Sequence, residues 1–305
     1  MSDFDREKTP RLPVAEILRR EEESRRAPLR VDLGALSHPG KVRAHNEDHY
    51  LALRLYRSRE TIATNLPEGD LVARADQQAF ALVVADGIGG RSAGEHASRR
   101  AIGALIDIAT RVPDWVLRID DAMADELMQR AEAYFGRVDE ILEAEAAADP
   151  ALAGMGTTMT MVYLLDRDLL VAHVGDSRAY RYRDGALSRL TQDQTMAQAL
   201  ADAGVIAAEE VKSHRQRHIL TGALGARSGA PRVELGRHDL RDGDRVLVAS
   251  DGLTEMIPDE AIAEILHRES DPSSACAALV AAALDEGGTD NVTVLLADCR
   301  LRTET

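Results

Sequence analysis

Residues 80–90 place a carboxylate and three glycines at the end of an apolar run. The run, residues 80–85, is short and rich in valine, which is typical of a strand buried on both faces. Asp86 follows directly, and residues 91–98 are typical of the start of a helix. Because glycine has no Cβ, the backbone here can approach closely whatever Asp86 holds. The fold must therefore place the end of this buried strand, at Asp86, near the surface.

Composition excludes several classes of protein. The 305 residues are 45% apolar, which is enough for one large domain or two small ones with a substantial core. A formal net charge of −15 argues against a general affinity for nucleic acid or anionic lipid, because both are polyanions. Neither a nucleic acid nor a membrane is therefore expected as a partner, and a monomer is expected.

The cysteine content and the first residues favour a cytoplasmic protein. Cys276 and Cys299 are the two cysteines of the chain and suggest no disulfide framework, so a reducing compartment is expected. Residues 1–5 lack the pattern of a signal peptide, and no apolar run approaches the roughly 20 residues of a membrane span. Residues 1–28 are mixed in charge and contain three prolines, which predicts a solvated tail; a docking helix at residues 14–18 is the alternative.

The apolar patterns predict strands and helices in runs. Strands are predicted at residues 30–37, 50–53, 79–85, 157–165, 169–174, 178–182, 232–238, 245–249 and 292–297. Helices are predicted at residues 93–109, 116–148, 195–203, 258–267 and 272–284. Residues 54–78 are interpreted as a surface connection and residues 191–229 as a surface excursion. Strands follow one another without a helix as often as with one, which favours layered sheets with helices outside.

Acidic residues accompany five of the predicted strand ends. They lie in Glu47-Asp48, Asp86-Gly87, Asp176, Asp251-Gly252 and Asp290-Asn291. A single Asp-Gly or Asp-Asn is most simply a turn. Five of them at neighbouring strand ends would bring like charges together, which is costly unless cations neutralise them. Oxygen ligands without clustered histidine or cysteine suit Mg²⁺ or Mn²⁺ better than Zn²⁺.

Six short motifs carry a resemblance to a known family. They are Arg43-x-x-Asn46-Glu47-Asp48, Ala85-Asp86-Gly87-Ile88-Gly89-Gly90, Gly156-Thr157-Thr158, Val174-Gly175-Asp176-Ser177-Arg178, Ser250-Asp251-Gly252-Leu253-Thr254-Glu255 and Thr289-Asp290-Asn291-Val292-Thr293. In this order the sequence resembles the metal-dependent protein phosphatases of type 2C, the PPM family, in its bacterial branch. The resemblance covers about residues 30–299.

The resemblance implies a fold, an activity and a cofactor. The fold would be α+β, a four-layer α-β-β-α sandwich with two central, mostly antiparallel sheets. Residues 29–300 would form the phosphatase domain, with a flap at about 191–229. The activity would be hydrolysis of phosphoserine and phosphothreonine in proteins by a water that bridges two divalent ions, Mn²⁺ or Mg²⁺. The substrates would be phosphoproteins, and the enzyme would oppose a Ser/Thr kinase.

The resemblance also implies the ligands of the two ions. By position, Asp86 would bridge both ions and the Gly87 carbonyl would bind the first. Glu47, Asp251 and Asp290 would complete the second or hold its waters.

Other positions match supporting roles in the family. Asp48 and Asn291 would lie behind the ligands and support them. Bacterial members often bind a third ion, for which Asp176 and Glu255 are the matching positions, although aspartate is commoner than glutamate at the second. Arg43 matches the arginine that binds the substrate phosphate, so Arg43 and Asp86 would be the catalytic residues.

The chemistry accounts for these residue types. A water between two divalent ions is acidified and held in line with phosphorus. An arginine can bind two phosphoryl oxygens at once and offset their charge. Ile88 occupies the place where many animal members have a histidine, so the expected proton donor is an ordered or metal-bound water.

Three other interpretations are open to the same residues. A dinucleotide-binding turn is disfavoured, because Ser92 stands where G-x-G-x-x-G needs its last glycine and Asp86 would repel a pyrophosphate. His214 and His218 could share a metal, but the arginines around them favour a basic patch that selects acidic phosphopeptides. A non-catalytic, phosphatase-like binding protein would usually lack a metal carboxylate, whereas Glu47 and the aspartates above are all present.

Overall fold

The computed structural model describes residues 29–63, 74–89, 92–110, 121–226 and 230–301, and within them the apolar runs pair into two sheets. The strands are β1 (Leu29–His38), β2 (Asp48–Glu60), β3 (Arg74–Ile88), β4 (Gly156–Thr157), β5 (Met159–Leu165), β6 (Asp168–Val174), β7 (Arg178–Arg183), β8 (Ala186–Arg189), β9 (Glu234–Asp239), β10 (Arg245–Ala249) and β11 (Val292–Leu301). The helices are α1 (Ser92–Thr110), α2 (Asp121–Ala148), α3 (Met196–Asp202), α4 (Asp251–Thr254), α5 (Asp259–Arg268) and α6 (Pro272–Asp285), with 3₁₀ turns at Pro150–Leu152 and Ala208–Ser213.

Every described strand pairing is antiparallel. The first sheet has the order β1-β11-β10-β7-β8, and the second has the order β2-β3-β5-β6-β9, with β4 paired to the end of β3. The first strand of the domain therefore lies beside the last, so the two ends of the described chain are joined in one sheet.

Three apolar interfaces define four layers. Leu82, Val162, Val248 and Leu295 belong to a cluster of strand residues from both sheets. Val83 belongs to a second cluster with residues of α1 and α2, and Leu247 to a third with residues of α5 and α6. Successive strand residues point to opposite faces, so residues 79–85 of β3 and 246–249 of β10 are apolar because both faces of each strand are covered there. The predicted α-β-β-α sandwich is confirmed.

Two interpretations of the sequence need correction. Residues 54–78 are not wholly a surface connection, because β2 continues to Glu60 and β3 begins at Arg74, with these two residues paired. Backbone pairing continues there through a polar stretch, which apolar periodicity could not detect. Strand β8 and helix α4 were also not predicted, since both are four residues long. Residues 1–28 and 116–120 lie outside the described residues.

No helix in the described part of the chain is long and apolar enough to cross a lipid bilayer.

The sheets bring the predicted acids to one edge of the sandwich. Asp48 begins β2 and lies opposite Asp86 on β3. In the other sheet, Asp251 follows β10 and Asp290 precedes β11, and these two strands are antiparallel neighbours. The end of one strand therefore lies beside the start of the next, and the Ser250 amide donates to the Thr293 carbonyl at 3.0 Å.

A buried histidine links three segments near this edge. His173 is fully buried on β6, with Nδ1 2.8 Å from Thr160 Oγ1 and Nε2 3.2 Å from the Gln192 carbonyl. Thr160 Oγ1 also lies 3.1 Å from the Ser177 carbonyl oxygen. Burial lowers the pKa of His173 to about 4, so the imidazole is neutral in the folded protein near neutral pH.

This histidine predicts a loss of stability in acid. In the unfolded chain His173 takes up a proton near pH 6.5, whereas the folded chain resists it to about pH 4. Its contribution is therefore complete above pH 6.5 and declines as pH falls, by at most about 3 kcal/mol. We expect His173→Gln to show a shallower fall in unfolding free energy between pH 7 and 4.5, measured by urea denaturation. His45→Gln, at an exposed histidine, is the control and should keep the wild-type slope.

Candidate metal centre

Asp86 is the centre of a group of half-buried acids. Burial, together with the charges of Asp48, Asp251, Asp176 and Asp290, raises the pKa of Asp86 well above its usual range. These acids come from both sheets and from the turn between β6 and β7. The cluster therefore concentrates negative charge where water has limited access.

Asp86 and Asp251 are close enough to hydrogen-bond through their carboxyl groups. Two carboxyl groups can do so only if they share a proton. Burial and the charge of Asp290 raise the pKa of Asp251 to about 6, and the hydrogen bond with Asp86 opposes that shift. A divalent cation could replace the shared proton, because it neutralises the same oxygens.

Asp48 is buried and only half satisfied. Ser250 Oγ donates to its Oδ2 at 2.7 Å, whereas Oδ1 is buried without a hydrogen-bond partner among the described residues. Burial raises the pKa of Asp48 to about 7. An orphaned carboxylate oxygen at this position is suited to accept from a water of a hydrated ion. In this respect the residues present fit a bound divalent cation.

The backbone of Asp86 is held by two threonines. The Thr158 amide and the Thr157 hydroxyl donate to the Asp86 carbonyl at 2.9 and 2.8 Å. The Asp86 amide donates to Thr158 Oγ1 at 3.1 Å, and that hydroxyl lies 2.9 Å from Ser177 Oγ. The Gly156-Thr157-Thr158 motif therefore fixes Asp86 and joins it to the turn that carries Asp176.

Glu47 is held against the start of α1. Its amide donates to Asn291 Oδ1 at 2.7 Å, and its carbonyl accepts from Ser98 Oγ at 2.5 Å. A Cβ added to Gly94 would lie 2.7 Å from Glu47 Oε2 and 2.9 Å from the Gly87 carbonyl oxygen. A side chain at position 94 would therefore displace both a predicted ligand carboxylate and a predicted ligand carbonyl. Burial raises the pKa of Glu47, and nearby Arg43 opposes that shift.

Asn291 fastens the loop that carries Arg43 and Glu47. Its Nδ2 donates to the carbonyls of Pro39 and His45, both at 2.9 Å. With the bond to the Glu47 amide, this side chain uses both donors and its acceptor on one loop.

Arg43 lies over the acids and is exposed over 55% of its side chain. Its Nη2 donates to Asp290 Oδ2 at 2.6 Å, and this hydrogen bond raises the pKa of the guanidinium. A guanidinium has five N–H donors, so this bond leaves donors in place for a second anion.

The two residues predicted for a third ion differ in their surroundings. Burial, followed by the charge of Asp251, raises the pKa of Asp176 well above its usual range. Glu255 follows α4 and pairs with Arg217, whose Nε lies 3.3 Å from Oε2, and with His218, whose Nδ1 lies 3.8 Å from Oε1. The structure thus places Asp176 with the acids, and it places Glu255 near Asp251, whose pKa its charge raises, and in contact with Arg217 and His218.

The acids do not form a finished coordination shell. Within the ranges that the structure describes, no three Asp, Glu, His or Cys side chains are arranged as a complete ligand set for one ion. Asp86 and Asp251 instead make contact with each other, and Asp290 with Arg43. The donors available are nevertheless all oxygens, which suits Mg²⁺ or Mn²⁺.

Several supporting residues could not be assigned from the sequence. Ser250, Ser98 and Gly94 each touch a predicted ligand or its neighbour, yet nothing in their types marks them out. Their one signal is position, since Ser250 is the first residue of the motif that contains Asp251, and Gly94 and Ser98 follow the glycine-rich turn.

Comparison with known families decides the classification. A profile described as Protein phosphatase 2C matches residues 57–288, which is more than half of the chain. The chain belongs to the protein phosphatase 2C family. The family predicted from the six motifs is therefore confirmed.

Bacterial members of the protein phosphatase 2C family are among its relatives. The chain is 35% identical over 274 residues to the serine/threonine protein phosphatase PstP of Mycobacterium tuberculosis, covering 90% of this chain and 46% of that protein. It therefore spans about half the length of that relative. It is 30% identical to the serine/threonine phosphatase stp of Listeria innocua, covering 86% of this chain and 93% of that protein.

Solved structures of protein phosphatase 2C members share the fold. The crystal structure of the M. tuberculosis phosphatase PstP/Ppp superposes with a TM-score of 0.70 at 34% identity, covering 88% of this chain and 98% of that one. The PstP catalytic domain in complex with two manganese ions gives a TM-score of 0.68 at 32% identity, with 89% and 99% covered.

The close contact at Gly94 makes a testable prediction. Gly94→Ala should weaken Mn²⁺ binding by about 10- to 100-fold, because the added Cβ pushes Glu47 and the Gly87 carbonyl out of position. Isothermal titration with Mn²⁺ measures the change. Gly103→Ala is the matched control, because Gly103 lies on the same helix and a Cβ added there would have no atom within 4 Å. This variant should bind Mn²⁺ as the wild type does. Equal affinities for all three proteins would contradict the placement of Glu47.

Proposed function

We propose that this chain is a metal-dependent protein phosphatase that hydrolyses phosphoserine and phosphothreonine by direct attack of water. The observation that carries the proposal is the group of acids around Asp86, whose mutual repulsion and burial raise their pKa values. The relatives named serine/threonine phosphatases and the manganese-bound PstP domain support the same activity. No observation on the described residues favours a non-catalytic binding protein.

The residues that would hold two divalent ions are those predicted from the sequence. Asp86 would bind both, the Gly87 carbonyl the first, and Glu47, Asp251 and Asp290 the second or its waters. When bound, Mn²⁺ or Mg²⁺ supplies an acidified water and offsets negative charge on the phosphoryl group.

The chain itself supplies orientation. Asp48, supported by Ser250, would orient water at the ligands through its free Oδ1. Asn291 keeps the loop bearing Glu47 and Arg43 at the start of β11. Each support restricts the predicted ligand to a narrow range of positions, which favours in-line attack.

Arg43 would bind the substrate phosphate. Its guanidinium reaches Asp290 from the solvent side and has further donors for two phosphoryl oxygens. Ile88 offers no acid to the leaving hydroxyl group, so we assign proton donation to an ordered water. Asp176 is the residue that best fits a third ion, because burial and its acidic neighbours raise its pKa.

Substrates and the opposing enzyme are assigned by similarity to the named phosphatases, and the other partners and the compartment from charge and thiol chemistry. We assign phosphoproteins as substrates, with a Ser/Thr kinase as the opposing enzyme. A net charge of −15 disfavours nucleic acid and membrane surfaces as partners. Cys276 and Cys299 are both free and buried, which supports a reducing cytoplasm, and a monomer is the proposed state.

Asp86 provides the direct test of activity. Asp86→Asn should lower Mn²⁺-dependent hydrolysis of an aryl phosphate by at least about 1,000-fold, because the bridging ligand loses its charge. Asp166→Asn is the control, since Asp166 lies in a turn with φ of 53°, a conformation that asparagine tolerates. A wild-type protein without activity in any divalent ion would refute the proposed function.

The basic residues at 214–218 predict substrate preference. Replacing the exposed Arg215 with alanine should lower kcat/KM for acidic phosphopeptides by about threefold, because attraction to the peptide is lost. Hydrolysis of a small aryl phosphate should be spared. Equal losses on the two substrates would show that Arg215 acts on the centre itself.

A further inference from the structure

Within the predicted flap, the segment from Gln194 to Thr221 leaves the body of the domain and returns to it at one point; this segment is called the flap below. The Met196 amide donates to the Ile219 carbonyl at 2.7 Å, and the Thr221 amide donates to the Gln194 carbonyl at 2.8 Å. The Gln194 amide in turn donates to the Gly175 carbonyl at 2.7 Å. The base of the flap is therefore tied to the residue before Asp176, on one side of the acidic cluster.

The returning arm of the flap presents two side chains to Glu255. Two successive turns, from Arg217 N to the His214 carbonyl at 3.1 Å and from Ile219 N to the Gln216 carbonyl at 3.2 Å, precede the bonded pair Met196 and Ile219 at the base. They place Arg217 and His218 against Glu255, at 3.3 and 3.8 Å.

Glu255 is well placed to hold the flap. Its amide donates to the Asp251 carbonyl at 2.8 Å, so its backbone is fixed to the short helix that begins with a predicted metal ligand. The side chain is 28% exposed, and that of Arg217 is 37% exposed. Glutamate has one methylene more than the aspartate that is commoner at this position, and this extra length lets the carboxylate reach outward to a guanidinium.

We propose that Glu255 is a positioning residue that fastens the returning arm of the flap beside the acidic cluster through Arg217, with His218 in support. Both arms of the flap are then held, one by Gly175 beside Asp176 and the other by Glu255 beside Asp251. A cation at the third position and Arg217 would compete for the same carboxylate. The effect on substrate entry rests on the proposed function, whereas the latch itself does not.

Hydrogen exchange of the metal-free protein, followed by mass spectrometry, tests the latch. Arg217→Ala and Glu255→Gln should each speed exchange of the flap amides by about two- to fivefold, the range expected of a partly exposed ion pair. The double variant should exchange no faster than either single variant, because both remove the same contact. Arg215→Ala is the matched control, since Arg215 is an exposed cation two residues away, and it should exchange at the wild-type rate.

A variant with the two charges swapped and a metal titration complete the test. The double variant Arg217→Glu with Glu255→Arg should return the hydrogen-exchange rate of the flap amides toward the wild-type rate. A purely structural role for either residue would not allow this recovery.

Arg217→Ala should also strengthen the weakest Mn²⁺ binding by a few-fold, since a competing cation is removed. Equal exchange in the Arg217 and Arg215 variants, or additive effects in the double variant, would overturn the latch. These rates do not depend on catalysis, so a protein without phosphatase activity would refute the proposed function alone.

Discussion

The repulsion among half-buried acids at one sheet edge is the interaction on which the site depends. Asp86 lies opposite Asp48 and beside Asp251, and the charges of both raise the cost of ionising Asp86. Without a cation these acids must share protons or recruit arginine, as Asp290 does with Arg43. The fold tolerates this cost because the strands that carry the acids are fixed by three apolar interfaces and cannot move apart. The energy stored in this way is available to whatever neutralises the cluster.

The sequence was sufficient where one pattern had one structural solution. The apolar runs at residues 79–85 and 246–249 indicated strands covered on both faces, and the six motifs in order indicated the family and its layers. Pairing beyond the apolar runs, as between Glu60 and Arg74, depends on backbone hydrogen bonds that leave no mark on composition. The roles of Ser250 and Gly94 likewise depend on distances between segments far apart in the chain.

The assignment of individual site residues is a separate matter from the fold. The structure brings the predicted acids to one edge, and it pairs Glu255, a residue predicted for a third ion, with Arg217. The motif identified the position of residue 255, whereas the length of its side chain and the nearby Arg217 decide what its carboxylate binds. A single methylene changes what a carboxylate can reach, and family membership alone does not specify this.

The pairing of β1 with β11 has a consequence for how the molecule can be rearranged. Leu29 lies opposite Leu301, so the two ends of the described domain are neighbours in one sheet. A short linker could join them, and new ends could then be opened at the exposed turn between β7 and β8 without breaking a strand. Such a circular permutant would keep β11 between β1 and β10 and Asn291 in contact with the loop before β2. The order of segments along the chain is therefore separable from the architecture that assembles the acids.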